Sequence, residues 1–205
     1  MHRFDILDYS NEIKRKKIHL LSFLIPLFYI FFPNYIIPYI SLLVIITLSV
    51  DLCRLLYPES KYNYIFNTYL NHVSRKYEKN NLLSATILIL ISAIIILLFD
   101  RTTSIIAISL ASISDSFAAI IGLKYGEIKT VNNKTVEGFL GFFLSSLLVI
   151  AILKIFIDLN IDIIILILIC FITSIIETLT PTKYDNITIP VSAALLIKLF
   201  SILVI

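Results

Sequence analysis

"ILILISAIIILLF", Ile87 to Phe99, is a run of thirteen residues with one polar side chain, Ser92, and six isoleucines. Isoleucine favours strands by local propensity. Length and unbroken apolarity argue the other way, because an outer-membrane strand needs only ~10 residues and alternates apolar with polar side chains. The run reads as a buried helix, and that choice decides the fold, since runs of the same kind recur along the chain. They are Ile18 to Phe32, Tyr35 to Val50, Leu82 to Phe99, Thr102 to Ile121, Val136 to Ile157, Ile161 to Leu179, and Ile187 to Ile205. Each approaches the length that a ~30 Å hydrocarbon core demands of a helix. The first two are short and contain or abut Pro26, Pro33 and Pro38, which marks one of them as kinked or re-entrant.

The whole composition agrees. Of 205 residues, 59% are hydrophobic and only 15% charged, where a soluble domain is near half apolar and a quarter charged. The expected fold is a single all-α polytopic membrane domain, 1–205, with about seven transmembrane helices and a cytoplasm-facing site. No small-x-small cleavage site follows the first span, so the basic N-terminus is expected to stay. Cys53 and Cys170 have neither metal-ligand spacing nor a disulfide framework.

Topology follows from the basic residues. Arg3, Lys14, Arg15, Lys16 and Lys17 precede the first span; Arg54, Lys61, Arg75, Lys76 and Lys79 follow the second. Lys124, Lys129 and Lys134 follow the fourth and Lys183 the sixth, against Arg101 alone on the opposite side. The positive-inside rule makes the crowded side cytoplasmic, with residues 1–17 a basic cytoplasmic segment. Residues 55–81 are a second cytoplasmic segment. Within it Ile65, Phe66, Tyr69, Leu70, Val73 and Tyr77 recur at helical spacing, the pattern of one amphipathic helix on the leaflet surface or of a solvated linker helix. Abundant Ile, Asn and Lys in a compact chain read as an AT-rich bacterial genome, and the expected location is the bacterial inner membrane.

All four glycines, Gly122, Gly126, Gly138 and Gly141, fall in "ISDSFAAIIGLKYGEIKTVNNKTVEGFLGFF", Ile113 to Phe143. Asp115 lies about six residues, or ~9 Å, from the cytoplasmic end of the fourth span. A carboxylate at that depth marks a functional site by default, the other reading being a helix-helix hydrogen bond. Glu177 closes the sixth span, and Asp185 and Asn186 lie in the following loop between Pro181 and Pro190. Folded together, these carboxylates would suit Mg²⁺, which takes one or two of them and completes its shell with water and phosphate. Glu177 reads equally well as an interfacial acid.

The glycines admit two readings as well: close approach of an anion to the start of the fifth span, beside Lys134, or plain helix packing through Gly122-x-x-x-Gly126. There is no Walker loop and no GxGxxG, which excludes a soluble-type nucleotide domain. Glu12, Arg15, Lys16 and His19 stand together at the first span, where a topology-setting basic cluster is also expected. Asp51 and Arg54, three apart, have the spacing of a local ion pair. The ionisable residues gather at the cytoplasmic face rather than along a midplane pathway, the disposition of an enzyme acting where a cytosolic anion meets a lipid.

The segments "EIKRKKIH", "RKYEKNNLLSAT", "ISDSFAAIIGLKYG", "NKTVEGFLGFF" and "IETLTPTKYDNITIPVSA" follow one another along most of the chain. As a set they resemble the CTP-dependent lipid-alcohol kinases: dolichol kinase, phytol kinase and the CTP-using diacylglycerol kinase, relatives of the phosphatidate cytidylyltransferases. The resemblance implies transfer of the γ-phosphoryl group of CTP to a membrane lipid alcohol, dependent on Mg²⁺ or another divalent cation. It implies catalytic roles for Asp115, Lys134 and Glu137, nucleotide contacts from Arg15, Lys16, Gly122, Lys124, Gly126, Gly138 and Asn186, and metal ligation by Asp115, Glu177 and Asp185. Ser114 stands where the family usually has glycine. The Lys-Arg…Lys-Asp…His-Gly-Gly…Asp-Arg run of the established cytidylyltransferases is absent. Expected partners are the lipid and CTP, with no nucleic acid; the glycine pair is compatible with a homodimer. Cytidylyl transfer and a non-enzymatic transporter stand as the rival readings.

Overall fold

The structure is a computed structural model and describes residues 6–57, 59, 76–159 and 161–203. It is helical throughout, and among the described residues the one β feature is an isolated bridge between Lys129 and Thr135. The helices are α1 (Ile6–Leu20), α2 (Leu24–Phe31), α3 (Ile36–Leu56), α4 (Ser84–Leu98), α5 (Arg101–Tyr125), α6 (Val136–Phe156), α7 (Ile163–Leu179) and α8 (Asp185–Leu203). The segment expected to form an amphipathic surface helix lies mostly outside the described residues.

Among the described residues, four helices are long and apolar enough to cross a membrane: Pro33–Leu56, Arg101–Tyr125, Val136–Phe156 and Asp185–Ile202. Ser84–Leu98 and Ile163–Leu179 are apolar but shorter. The first expected span is divided. A 3₁₀ turn, Leu21–Phe23, separates α1 from α2, and Phe32 leaves helical geometry at φ −129°, ψ 59° ahead of Pro33. Pro38 is tolerated in the first turn of α3, where a backbone N–H has no intrahelical partner to lose. Asp100, Thr135 and Asp162 cap α5, α6 and α7, accepting from the N–H groups of Thr103, Gly138 and Ile164 at 3.0, 3.1 and 2.7 Å.

Helix α5 is the axis of the bundle. Every residue from Thr103 to Ser112 is buried. Ile105, Ile106 and Leu110 pack with Val149 and Leu153 of α6, Leu166 and Ile169 of α7, and Ala193 and Ile197 of α8. A smaller cluster joins Ile108 to Ile25, Ile36, Ile40 and Ile96. Buried hydroxyls donate to carbonyls one turn back, as Ser92 does to Leu88 O, Ser112 to Ile108 O, Ser145 to Gly141 O and Thr178 to Ser174 O, which satisfies their protons within their own helix. Ser104 Oγ instead donates to Ile95 O across the α4–α5 contact. The outer helices carry exposed Ile45, Ile46, Leu144, Leu148, Ile164 and Leu195, an apolar periphery of the kind lipid tails solvate.

Candidate functional site

Helix α5 changes its bonding as it reaches Asp115. Leu110–Ser114 is a π-helical turn, and the Asp115 N–H bonds Leu110 O. Asp115 is 3% exposed. Its Oδ2 receives the Lys16 ammonium at 2.5 Å and lies 3.3 Å from His19 Nε2, and the same ammonium reaches Asp115 O at 3.3 Å. Both partners come from α1, which the charge-rich "NEIKRKKIH" forms as one helix continuing to Leu20. Lys16 is itself 3% exposed, so its four-carbon stem and charge are enclosed with the carboxylate.

The second half of the site is built by the segment between α5 and α6. Asn132 and Asn133 adopt left-handed backbone, φ 59° and 61°, a conformation asparagine tolerates better than most residues. Asn132 Nδ2 donates to Leu179 O at 2.8 Å and fastens this turn to the end of α7. Lys134, the next residue but one, then reaches Glu177 Oε1 at 2.7 Å, Glu177 O at 2.5 Å and both Asp185 oxygens at 2.9 and 3.1 Å. Burial alone would lower the Lys134 ammonium, but the Glu177 and Asp185 carboxylates outweigh it and hold the group above its usual value.

Asp115, Glu177 and Asp185 thus come from α5, α7 and α8, and each offers an oxygen within 4.8 Å of the others. Three buried carboxylates share two lysine ammoniums, so with all three ionised their formal charges leave one negative charge for a further cation to balance. Oxygen donors of this kind match a hard divalent ion.

The remaining expected residues divide. Arg15 bonds Glu12 Oε1 at 2.9 Å and Ser84 Oγ at 3.3 Å, and Asn186 donates to Ser84 O at 2.6 Å. Both meet Ser84, the first residue of α4, and each is next in sequence to a member of the charged group, Lys16 and Asp185. Glu78 accepts from the Ser84 N–H at 3.0 Å and from its hydroxyl. Glu137 lies apart: its Oε1 takes the Ile128 N–H at 3.3 Å and braces the α5–α6 segment. Lys124 is exposed and lies over the Tyr125 ring, 5.0 Å from its centroid.

The glycines serve helix contact. A Cβ on Gly126 would stand 2.2 Å from Gly122 O and 2.6 Å from Thr135 Cγ2, and one on Gly138 would stand 3.2 Å from Ala118 O. The surface around Gly122 and Gly126 is therefore filled by Thr135 and Gly138 of the same chain, which lets α5 and α6 meet closely and brings Lys134 over α7.

Sequence reasoning passed over three participants. His19, Glu78 and Ser84 fall within segments that carry the resemblance, but no role in the site is assigned to them from sequence. The signal for Ser84 was a polar residue at the junction of a charged segment and an apolar run, a helix-start pattern. The Asp51–Arg54 pair is more than local. Arg54 also donates to Glu78 O, Lys79 O and Asn81 O at 2.9, 3.0 and 2.5 Å, and Asp51 Oδ2 accepts the Leu83 N–H at 2.9 Å. Together they tie the end of α3 to the lead-in of α4 and so fix Glu78 and Ser84.

The chain is 27% identical over 201 residues to an uncharacterized protein of Rickettsia prowazekii (strain Madrid E), covering 94% of this chain and 96% of that protein. No protein-family model and no solved structure matches it.

Proposed function

We propose that this protein is a membrane-embedded, CTP-dependent lipid kinase, transferring the γ-phosphoryl group of CTP to the hydroxyl of a polyprenol, phytol-like or diacylglycerol alcohol. The observation that carries the reading is the convergence of Asp115, Glu177 and Asp185, with Lys16 and Lys134 bonded to them, from residues spread over the whole chain. Phosphoryl transfer asks little covalent chemistry of a protein and depends on positioned charge of both signs. The resemblance of the signature segments supplies the nucleotide and the class of acceptor.

In this reading the chain crosses the membrane seven times, with α1–α2 and the shorter α4 and α7 among the crossings, and the N-terminus is cytoplasmic in a bacterial inner membrane. The distribution of lysine and arginine supports that orientation. Asp115, Glu177 and Asp185 would hold Mg²⁺, which when bound would neutralise phosphate oxygens. The protein's own residues do the rest. Lys16 and Lys134 would turn from the carboxylates to the nucleotide phosphates, Arg15 would add a third positive group, and the close α5–α6 contact would keep Lys134 in reach. The lipid oxygen bonds to the γ-phosphorus as the bond to the β-phosphate oxygen breaks, CDP leaves, and the hydroxyl proton passes to a neighbouring carboxylate.

The test is incorporation of label. Membranes containing the protein are incubated with Mg²⁺, mixed lipid alcohols, phosphatidate and CTP labelled at either the γ or the α phosphate. Label from the γ position in the lipid fraction supports the kinase and identifies its alcohol. Label from the α position instead means cytidylyl transfer, and no label in lipid means that this chemistry is not the protein's.

A further inference from the structure

A regular α-helix pairs each N–H with the carbonyl four residues back, and α5 departs from that rule just before its carboxylate. The Asp115 N–H bonds Leu110 O. In an α-helix that N–H would have gone to Ala111 O, and here Ala111 O takes a bond from His19 Nε2 instead, at 3.0 Å. The same nitrogen stands 3.3 Å from Asp115 Oδ2. A carbonyl and a carboxylate both accept, so Nε2 carries the proton and a single N–H faces the two oxygens. The ring is 7% exposed. Ser22, later in the same chain segment, bonds His19 O at 2.6 Å and Ser112 Oγ at 2.8 Å, giving the turn a second attachment.

We propose that His19 is a positioning residue, whose Nε2–H completes the π-helical turn of α5 and thereby fixes the Asp115 carboxylate on the side of Glu177 and Asp185. The inference rests on the phosphoryl-transfer reading of that site. His19 acts through Asp115 and touches no substrate. A donor that need not titrate can be replaced by an uncharged one of similar reach, and glutamine presents an amide N–H near the position of the imidazole Nε2. Leucine fills comparable space and donates nothing, leaving a buried carbonyl without its partner. The two substitutions therefore separate a hydrogen-bonding role from a packing role.

The experiment uses the full-length protein in lipid nanodiscs, as wild type, His19→Gln and His19→Leu. Two quantities are measured: steady-state transfer of γ-label from CTP across a range of pH, and amide hydrogen exchange over residues 110–116 in the absence of nucleotide. His19→Leu is expected to lower kcat 10- to 100-fold, roughly the effect of removing a group that orients a ligand-bearing side chain. It is expected to leave KM for CTP unchanged and to speed exchange in the turn. His19→Gln restores both, with the wild-type pH–rate profile. A fully active His19→Leu protein overturns the proposal, and so does a His19→Gln protein as impaired as His19→Leu, which would mean that the ring's own proton transfer matters. Should the wild type transfer no γ-label to any lipid, the kinase reading falls separately. Exchange then decides: acceleration in His19→Leu with recovery in His19→Gln supports the clamp on the turn, and equal exchange in all three overturns it.

Discussion

Replacing Lys134 by methionine removes a cation bonded to both Glu177 and Asp185 while keeping most of the side-chain volume. The side chains of Lys134, Glu177 and Asp185 are 11%, 7% and 4% exposed, and the ammonium makes contacts of 2.7 and 2.9 Å to the carboxylates. Removing one partner from a buried ionic group leaves uncompensated charge and costs about 3–5 kcal/mol. For a chain of this size 1 kcal/mol moves the unfolding midpoint by about 2–4 °C, so a loss of about 6–20 °C is expected. The same substitution frees the carboxylate oxygens. A divalent cation at about 100 times its Kd would then return about 2.7 kcal/mol. Heating the two proteins in detergent with and without millimolar Mn²⁺, followed by helical circular dichroism, reads both effects. Mn²⁺ should raise the midpoint of Lys134→Met more than that of the wild type, where the ammonium already occupies the carboxylates. A variant as stable as the wild type would refute the idea that the carboxylates are charged together. A destabilised variant that Mn²⁺ does not rescue would refute the cation-binding geometry.

Three further outcomes are expected. Because its carboxylate partners hold Lys134 above the ordinary value of 10.5, its contribution is complete below that pH and is lost only as pH climbs through the higher folded value. The difference in midpoint between wild type and Lys134→Met should therefore be flat between about pH 8 and 10 and shrink above that range. Asp115→Asn should abolish label transfer while the protein still inserts and purifies as a folded species; full activity in that variant would sink the assignment. Arg54→Ala strands Asp51 in a site with no exposure and removes the donor to Glu78 O, Lys79 O and Asn81 O. A loss of about 3–5 kcal/mol is expected, measured as a fall in the thermal midpoint.

The helical character was legible because Ile-rich runs such as Ile87–Phe99 are too long and too uniformly apolar for anything else. The end of the first span was legible from Pro33, but the 3₁₀ turn at Leu21–Phe23 that divides the span has no proline or glycine to announce it. The carboxylates could be picked out one by one, since each is an acid beside or within apolar sequence. Their pairing with particular cations could not, although Lys134 stood out beside the start of the fifth span and the resemblance named Lys16. Lys16 and Asp115 are separated by 99 positions, and before folding Lys16 is indistinguishable from Lys14 or Lys17 in a basic cluster that topology alone explains. Lys134 was marked by its place before the fifth span, but that it reaches Glu177 and Asp185 depends on the left-handed Asn132–Asn133 turn. The glycines admitted both readings, because residues that admit a close anion also admit a close helix, and the packing of Gly122, Gly126 and Gly138 around Thr135 is the helix contact.

The π-helical turn also has a bearing on how α5 divides its neighbours. Its first half packs with α2 and α8, its second half with α6 and α1. An α-helix advances about 100° for each residue, so one additional residue in a turn shifts everything beyond it by that angle around the axis. The two halves of α5 are out of phase by that increment, and a stripe of side chains that begins against one set of helices does not continue against the same set. Phase, more than chemistry, is what the extra residue supplies. Deleting a single residue between Leu110 and Ser114 would keep every charged group of the site in the chain and still turn Asp115 about a quarter of the way around the helix, away from the carboxylates it meets.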